Sequence, residues 1–155
     1  MTILILHNIR SVHNVGSIFR TADAAAVSKI ILSGYTPTPL DRFNQPRKDF
    51  SKVSLGAEHC VPWEHAPNIT QTLTTLQKAG CIIAALEQHE RSVSLFTYTS
   101  PPGKDVVIIL GREVEGVEQD ILSLCDTILE IPMYGKKESL NVSVAAGIAM
   151  YALKV

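Results

Sequence analysis

The sequence predicts an α/β fold with a mostly parallel sheet flanked by helices. Short, nearly continuous apolar runs rich in β-branched residues alternate with longer segments of helical pattern. Continuous apolar strands are typical of parallel sheets covered on both faces, and the alternation places helices between successive strands. With 155 residues, the chain is predicted to form one domain over residues 1–155.

Five apolar runs are the main strand candidates, and a sixth is weaker. The strong candidates are ILIL (3–6), KIIL (29–32), CIIAAL (81–86), DVVIIL (105–110) and DTILEI (126–131), and the weaker one is HCVPW (59–63). The segments between them that have a helical pattern lie near 14–26, 68–80, 117–124 and 139–154. Residues 33–52, which are rich in proline, glycine and basic residues, are predicted to be the least regular part.

Composition and charge narrow the functional class. The formal net charge is -1 and 46% of the residues are hydrophobic, so a nucleic-acid partner would have to bind a local basic patch. Cys60, Cys81 and Cys125 are far apart and odd in number, which favours reduced thiols. The N-terminal stretch MTILILHNIR lacks the basic start and long apolar core of a signal peptide or membrane span. We therefore expect a cytoplasmic protein without a membrane partner.

Three predicted strands end in segments that could form a pocket. They continue as ALEQ, LGREVEG and IPMYG. Because ligands of open α/β sheets bind beyond the carboxyl ends of the strands, these segments are expected to converge on one site. The third continues through a polar loop into the largely apolar segment SLNVSVAAGIAMYAL. That loop carries more polar side chains than a simple reversal of chain direction needs.

The segment GREVEGVE (111–118) has glycines five positions apart, but no Lys-Ser/Thr pair follows Gly116, so it is not a P-loop. The chain also contains no GxGxxG, which excludes the usual dinucleotide fingerprint. One interpretation is a turn that starts a helix. The alternative is that Gly111 lets a ligand approach the main chain while Glu113 caps or hydrogen-bonds nearby.

The segment NIRSVHNVGSIFRTADAAAV (8–27) contains several polar residues around a predicted helix start. Asn14 is a candidate helix cap. Arg20 is either a solvated residue or, with Asn8, Arg10 and Asn14, part of a polar site, and arginine binds phosphate bidentately. The histidines show no metal-ligand spacing, and Ser17, Ser139 and Ser143 lack evident partners for a hydrolase triad.

Together, three segments resemble the SpoU branch of the SPOUT superfamily of RNA methyltransferases. NIRSVHNVGSIFRTADA is similar to the family's Asn-x-Gly-x-x-x-Arg-Thr segment, and ILGREVEGV to its Gly-x-Glu-x-x-Gly turn. The third is IPMYGKKESLNVSVAAGIAMYAL, and SKVSLGAE (51–58) is a softer match. The resemblance implies a C-terminal trefoil knot and a homodimer whose interface contains the first helix and the C-terminal helix (139–154).

The resemblance also implies the cofactor and the reaction. S-adenosyl-L-methionine would donate a methyl group to a ribose 2′-hydroxyl, without a metal. By motif position, the cofactor would be lined by Leu86, Gly111, Ile131, Met133, Ser139 and Leu140. Catalysis would depend on Arg20, which acts either as a base or as a holder of phosphate. The supporting catalytic residues would be Asn14, Glu113, Asn141 and Ser143.

The RNA itself is less defined by the sequence. The favoured substrate is tRNA, and rRNA is the other possibility. The residues expected to bind RNA are Arg10, Arg42, Arg47, Lys48, Lys52, Lys136 and Lys137. Two other functions are alternatives to ribose methylation: a non-catalytic RNA- or cofactor-binding member of the family, and a base methyltransferase from another SPOUT branch. An unrelated Rossmann-like enzyme is the weakest alternative, because its fingerprint is absent.

Overall fold

The computed structural model describes residues 1–153, and seven strands there form one parallel sheet. The strands are β1 (Thr2–His7), β2 (Lys29–Ser33), β3 (Trp63–Ala66), β4 (Ile82–Leu86), β5 (Val93–Ser94), β6 (Val106–Leu110) and β7 (Thr127–Glu130). The order across the sheet is β3-β2-β1-β6-β4-β7-β5. The predicted α/β class with a mostly parallel sheet is therefore confirmed. The trefoil knot stays a prediction.

Helices cover both faces of this sheet. They are α1 (Val12–Ala24), α2 (Lys48–Ser54), α3 (Ile69–Lys78), α4 (Gln119–Leu122) and α5 (Val142–Ala152). Successive side chains of a strand point to opposite faces, so Leu4 and Leu6 join the core beneath α1, α2 and α5, whereas Ile5 joins the core beneath α3 and α4. Burial on both faces explains why the central strands are continuously apolar.

The packing of α1 depends on a small residue and an aromatic pair. A Cβ at Gly16 would lie only 3.0 Å from the Cβ of Val53, so glycine allows α1 and α2 to approach closely. Beside this contact, the rings of Phe19 and Phe50 pack edge to face with centroids 5.2 Å apart. Such a pair contributes about 0.5–1.5 kcal/mol beyond its buried area. The contact fixes α1, which carries several of the candidate site residues.

Two of the element predictions were wrong in detail. The weak strand at 59–63 is displaced: Ala57–His59 form a 3-10 turn, and β3 starts only at Trp63. Pro62 lacks an N–H group and contributes only its carbonyl, which accepts from the Ile30 N–H at 2.9 Å. The irregular segment 33–52 contains the first part of α2, which its proline and glycine content concealed.

The helix boundaries also differ from the prediction. The C-terminal helix was predicted over 139–154 but begins at Val142, with Asn141 as its cap, and Lys154 lies outside the described residues. The cap of α1 is Ser11 rather than Asn14, because the Ser11 hydroxyl accepts from the Asn14 N–H at 3.2 Å. Asn14 therefore lies inside the first turn, which leaves its side chain free for tertiary contacts.

Candidate active site

A cavity of about 360 Å³ lies at the carboxyl ends of the adjacent strands β6, β4 and β7. Its lining includes all six residues expected around the cofactor: Leu86, Gly111, Ile131, Met133, Ser139 and Leu140. The three strand-end segments identified in the sequence do meet in this one pocket.

The floor of the cavity is a tight turn after β6. Arg112 and Gly116 exchange two main-chain hydrogen bonds, each of 3.1 Å, and Gly116 adopts φ +70°. A Cβ at Gly111 would overlap the main chain of Gly116, so no larger residue fits there. The turn is tied to the end of β4, because the Glu87 carboxylate accepts from the Val117 N–H at 3.0 Å. The glycines therefore let bare main chain face the cavity.

The loop after β7 forms the opposite wall. Residues 132–141 are largely exposed, and the side chain of Tyr134 is 91% exposed. Gln88 anchors this loop, since its side-chain amide donates to the Glu138 carbonyl at 2.7 Å. Apolar walls with main-chain polar groups suit a planar base, and several carboxylates around the cavity suit a cationic group: Glu87, Glu113, Glu115, Glu130 and Glu138. These features fit S-adenosylmethionine, which carries an adenine and a sulfonium.

Beside the cavity, three side chains join segments that are far apart in the chain. The Glu113 carboxylate accepts from the Asn14 side-chain amide at 3.3 Å. The side-chain amide of Asn141 in turn donates to the Asn14 side-chain oxygen Oδ1 at 3.1 Å. This cluster of Asn14, Glu113 and Asn141 links the turn after β6 to the starts of α1 and α5.

Glu113 also binds the main chain ahead of α1. Its carboxylate accepts from the N–H groups of Arg10 at 3.3 Å and Ser11 at 3.2 Å. Burial alone would raise the pKa of Glu113, but hydrogen bonds from the main chain and from Asn14 outweigh burial and lower the pKa. Glu113 is therefore a firmly ionised acceptor that fixes the start of α1.

Ser143 acts locally in this structure. Its hydroxyl donates to the Asn141 side-chain oxygen at 2.6 Å, and its N–H donates to the same oxygen at 2.9 Å. Both contacts form the N-terminal cap of α5. Ser143, one of the five predicted catalytic residues, thus holds the side chain of Asn141, and Asn141 in turn contacts Asn14.

Arg20 is not part of this cluster, and the structure does not join it to Asn8, Arg10 and Asn14, which was one of the two interpretations of Arg20. Arg20 lies six positions beyond Asn14, which turns it to another face of α1. It is exposed in a groove of about 780 Å³ between α1 and α2, near His13, Ser17 and Lys52. Within residues 1–153 no hydrogen bond or ion pair holds its guanidinium.

The expected RNA-binding residues are dispersed. Lys136 and Lys137 lie on the exposed loop over the cavity, Lys52 lines the Arg20 groove, and Lys48 is exposed at the start of α2. Arg42 is exposed and stacks over the Phe43 ring at 4.7 Å. Arg10 is exposed at the start of α1. These cations therefore remain available to a ligand.

Arg47 differs from the other six residues expected to bind RNA. Its guanidinium pairs with the Asp49 carboxylate at 2.7 Å, and this pair raises the pKa of Arg47. A second hydrogen bond of 3.1 Å makes the contact bidentate. Arg47 would have to leave Asp49 before it could bind a phosphate.

A partly buried polar network that the sequence did not predict lies at the end of β1. The Asn8 amide donates to His7 Nε2 at 3.0 Å and to Glu118 at 3.1 Å, and Glu118 pairs with Arg112 at 2.6 Å. Burial lowers the pKa of His7, although the Glu118 charge opposes this, and His7 Nδ1 lies 2.7 Å from the Ser33 hydroxyl. The adjacent pair His7-Asn8 after an apolar run was the only sequence signal for it.

Residues 1–153 contain no group of three or more His, Cys, Asp or Glu side chains that could hold a metal ion. Over the same residues, no helix combines the length and the apolar character that crossing a membrane requires.

Comparison with known proteins gives a consistent family assignment. The model of the SpoU rRNA Methylase family matches residues 1–151. The 23S rRNA (guanosine-2'-O-)-methyltransferase RlmB of Ralstonia nicotianae is 33% identical over 150 residues, which are 96% of this chain and 56% of that protein. The chain thus spans just over half the length of this relative.

Solved structures with the same fold include two with 29% identity. The AdoMet-bound rRNA methyltransferase of Sinorhizobium meliloti superposes with a TM-score of 0.84, covering 97% of this chain and 54% of that one. The A. aeolicus TrmH/SpoU tRNA modifying enzyme superposes with a TM-score of 0.82, covering 97% of this chain and 72% of that one.

Proposed function

Because this chain belongs to the SpoU rRNA methylase family, we propose that it transfers a methyl group from S-adenosylmethionine to a ribose 2′-hydroxyl of RNA. The observation that carries the proposal is the cavity at the ends of β6, β4 and β7. It is lined by all six expected cofactor residues and adjoins the cluster of Asn14, Glu113 and Asn141.

The fit of the cavity supports S-adenosylmethionine as the methyl donor. When bound, this cofactor supplies an electrophilic methyl group, so the protein has mainly to orient the hydroxyl and exclude water. Leu86, Ile131 and Met133 would flank the adenine, while the main chain at Gly111 would allow close approach. Ser139 and Leu140 would close the site from the loop before α5.

Arg20 is proposed to act on the RNA. Its exposed guanidinium, which has no partner within residues 1–153, is available to hold the phosphate next to the target ribose. The positive charge would also stabilise the hydroxyl oxygen as it loses its proton, whether phosphate or Arg20 itself takes that proton. Asn14, Glu113 and Asn141, supported by Ser143, would position the ribose.

A homodimer is part of the proposal. Arg20 and the cluster lie on different faces of α1, and within one chain they are not joined by a hydrogen bond among the described residues. In a dimer, the Arg20 groove of one chain would lie next to the cavity of the second chain. Arg20 would then be close to the second chain's cluster of Asn14, Glu113 and Asn141. The exposed Val144 and Tyr151 on α5 would supply apolar area for such an interface.

Ribosomal RNA is the first substrate candidate, and tRNA is the second. The relative from Ralstonia nicotianae is named for guanosine 2′-O-methylation of 23S rRNA. The A. aeolicus structure is named as a tRNA modifying enzyme, which keeps the tRNA preference open. The exposed cations Arg10, Arg42, Lys48, Lys52, Lys136 and Lys137, and Arg47 once released from Asp49, would bind RNA phosphates. Either RNA would place the enzyme in the cytoplasm.

Nucleoside mass spectrometry tests this proposal. The purified chain is incubated with methyl-labelled S-adenosylmethionine and either unmodified rRNA or unmodified tRNA. We expect a labelled 2′-O-methylnucleoside in the rRNA digest, and its absence when Arg20→Ala replaces the wild type. A labelled base would indicate a base methyltransferase. Absence of label with intact cofactor binding would favour a non-catalytic family member.

A further inference from the structure

The segment between β2 and α2 leaves the sheet on the same side as the cavity at the strand ends. All seven strands are parallel, so the carboxyl end of β2 lies on the side where β6, β4 and β7 end. The start of the segment is anchored there, because the Thr36 hydroxyl donates to the Leu6 carbonyl at 2.8 Å and accepts from the Ile9 N–H at 3.1 Å. Farther along, residues 41–46 are all exposed.

Residues 41–45 of this segment form a closed loop, the tip loop, which Asp41 organises. The Asp41 N–H donates to the Gln45 carbonyl at 2.8 Å, and the Asp41 carbonyl accepts from the Asn44 N–H at 3.0 Å. Inside the loop, one oxygen of the Asp41 carboxylate accepts from the N–H groups of Phe43 at 2.8 Å and Gln45 at 2.9 Å. The loop's own hydrogen bonds therefore fix its main chain, although every residue in it is exposed.

The tip loop holds an aromatic ring in solvent. Phe43 is 67% exposed. The Arg42 guanidinium lies over its ring, 4.7 Å from the centroid, and so covers one face of the ring. Because two thirds of the residue is nevertheless accessible to solvent, the opposite face of the ring is open. The loop thus presents an aromatic ring that is supported by a cation on one face and free on the other.

The surroundings of this ring suit a nucleic-acid base better than an apolar protein surface. The other residues of the tip loop are all polar, and one ring offers far less than the area of about 800 Å² per partner that a stable protein interface buries. A base, by contrast, needs only one open aromatic face on which to stack. Arg42 and Lys48, which form no ion pair within residues 1–153, can bind the phosphates on either side of such a base.

We propose that Phe43 is a stacking platform for an unpaired base of the RNA. The base would lie on the open face of the ring, while Arg42 supports the other face and binds an adjacent phosphate. Phe43 is not among the residues that line the cavity at the strand ends, so this base belongs to a nucleotide other than the one that is methylated. The inference rests on the proposed function for the class of nucleic acid, and it adds that the RNA is single-stranded where it meets the tip loop.

Binding of short RNA to the intact chain tests this without methyl transfer. Fluorescence anisotropy compares an end-labelled, unstructured RNA hexamer with a hexamer in which abasic residues replace the bases. The two carry the same phosphates, so a difference in affinity reports contacts with the bases. We expect the hexamer with bases to bind about tenfold more tightly, as one stacked base allows. Equal affinities, or no binding of either RNA at low salt, would overturn the proposal.

Three variants locate the base contact. Phe43→Ala should remove most of the preference for the hexamer with bases, whereas Phe43→Trp should keep it. Asp41→Ala leaves the ring in place but frees the N–H groups that fix the tip loop, so it should reduce the preference. Phe96→Ala is the matched control, because Phe96 is a 58% exposed aromatic that follows β5, on the other side of the sheet from β2. A preference that survives Phe43→Ala would overturn the proposal.

Two further measurements distinguish stacking from other roles. The effect of Phe43→Ala should be independent of salt, whereas Arg42→Gln should lower the salt dependence by about one phosphate contact. If sedimentation showed that Phe43→Ala changes the oligomeric state while RNA binding is unchanged, the ring would belong to a contact between two copies, and the proposal would be overturned. Absence of methyl transfer with the base preference intact would overturn only the proposed reaction.

Discussion

The two faces of α1 behave differently, although they belong to one helix of 13 residues. On one face, Asn14 is held by Glu113 and Asn141 through hydrogen bonds of 3.3 and 3.1 Å. On the other, Arg20 lies exposed in a groove without a partner among residues 1–153. The fold thus preorganises the face next to the cavity at the strand ends and leaves the other face exposed, where we propose that an RNA or a second chain binds.

The largest expected effect is a loss of methyl transfer without a loss of cofactor binding when Arg20, on the exposed face of α1, is replaced. Arg20→Ala should lower kcat for methyl transfer by about 10²- to 10⁴-fold, which is the range for losing a positioned catalytic group. Cofactor affinity should remain nearly unchanged, because Arg20 does not line the cavity. Calorimetric titration with S-adenosylmethionine, alongside transfer assays, checks this.

Two further variants sharpen the Arg20 experiment. Arg20→Lys keeps the charge but loses bidentate binding, so it should recover only part of the activity. Arg91→Ala removes another exposed arginine, one that lies outside the groove and the cavity, and should be nearly silent. Equal losses of cofactor binding and methyl transfer in Arg20→Ala would contradict the proposal that Arg20 acts in transfer and not in cofactor binding.

The next effect concerns the turn that holds Glu113 against Asn14. Gly111→Ala should lower S-adenosylmethionine affinity about tenfold or more, because the added Cβ overlaps the main chain of Gly116 and forces the turn to shift. We also expect a loss of about 1–3 kcal/mol in the free energy of unfolding, as for other overpacked sites. Calorimetric titration and urea unfolding measure the two quantities.

Gly135→Ala is the matched control for this turn. Gly135 is on the loop over the same cavity, but an added Cβ there would meet no atom within 4 Å. It should therefore bind S-adenosylmethionine like the wild type. If both alanine variants bound the cofactor equally well, the close approach at Gly111 would have no role in binding.

A smaller effect distinguishes two roles of Asn141, which caps α5 and also contacts Asn14. Asn141→Ala removes the cap of α5 and should cost about 1 kcal/mol of unfolding free energy. Asn68→Ala removes the equivalent cap of α3, whose oxygen accepts from the Gln71 N–H at 3.0 Å, and should cost a similar amount. Only Asn141→Ala should also slow methyl transfer, because only Asn141 contacts Asn14. Equal transfer rates would reduce Asn141 to a structural cap.

The smallest effect is a pH dependence of stability. The pKa of Glu113 is lowered in the folded chain, so its carboxylate stabilises the fold above the unfolded value near 4.5. That contribution is lost as the pH falls through the lower folded pKa. The stability difference between wild type and Glu113→Gln should therefore be greatest at neutral pH and shrink below about pH 4.5.

Urea unfolding across this pH range measures the Glu113 effect. Glu115→Gln is the control, since the Glu115 carboxylate has no hydrogen bond within residues 1–153, and its stability curve should follow the wild type. A Glu113→Gln difference that stayed constant from pH 7 to pH 3.5 would show that ionisation of Glu113 is not what stabilises the start of α1.

The positions of the main strands and of most helices could be predicted from the sequence, because they depend on local periodicity. The predicted run at 105–110 is β6 from Val106 to Leu110, and its continuous apolar character reflects burial on both faces. Local rules were weaker where two signals competed. In residues 33–52 the proline and glycine content hid the first part of α2. Asn14 is suited to capping but lies within the first turn of α1, and Ser11 is the cap.

By itself, the sequence determined the strand-end segments that line the cavity, since a ligand site at the carboxyl ends of parallel strands follows from strand periodicity and chain direction. Only the tertiary structure decided which side chains meet. Asn14 and Asn141 lie 127 positions apart, and their contact depends on how α1 and α5 pack over the sheet. The same packing turns Arg20 away from that contact, because a rigid helix presents residues six positions apart to different neighbours.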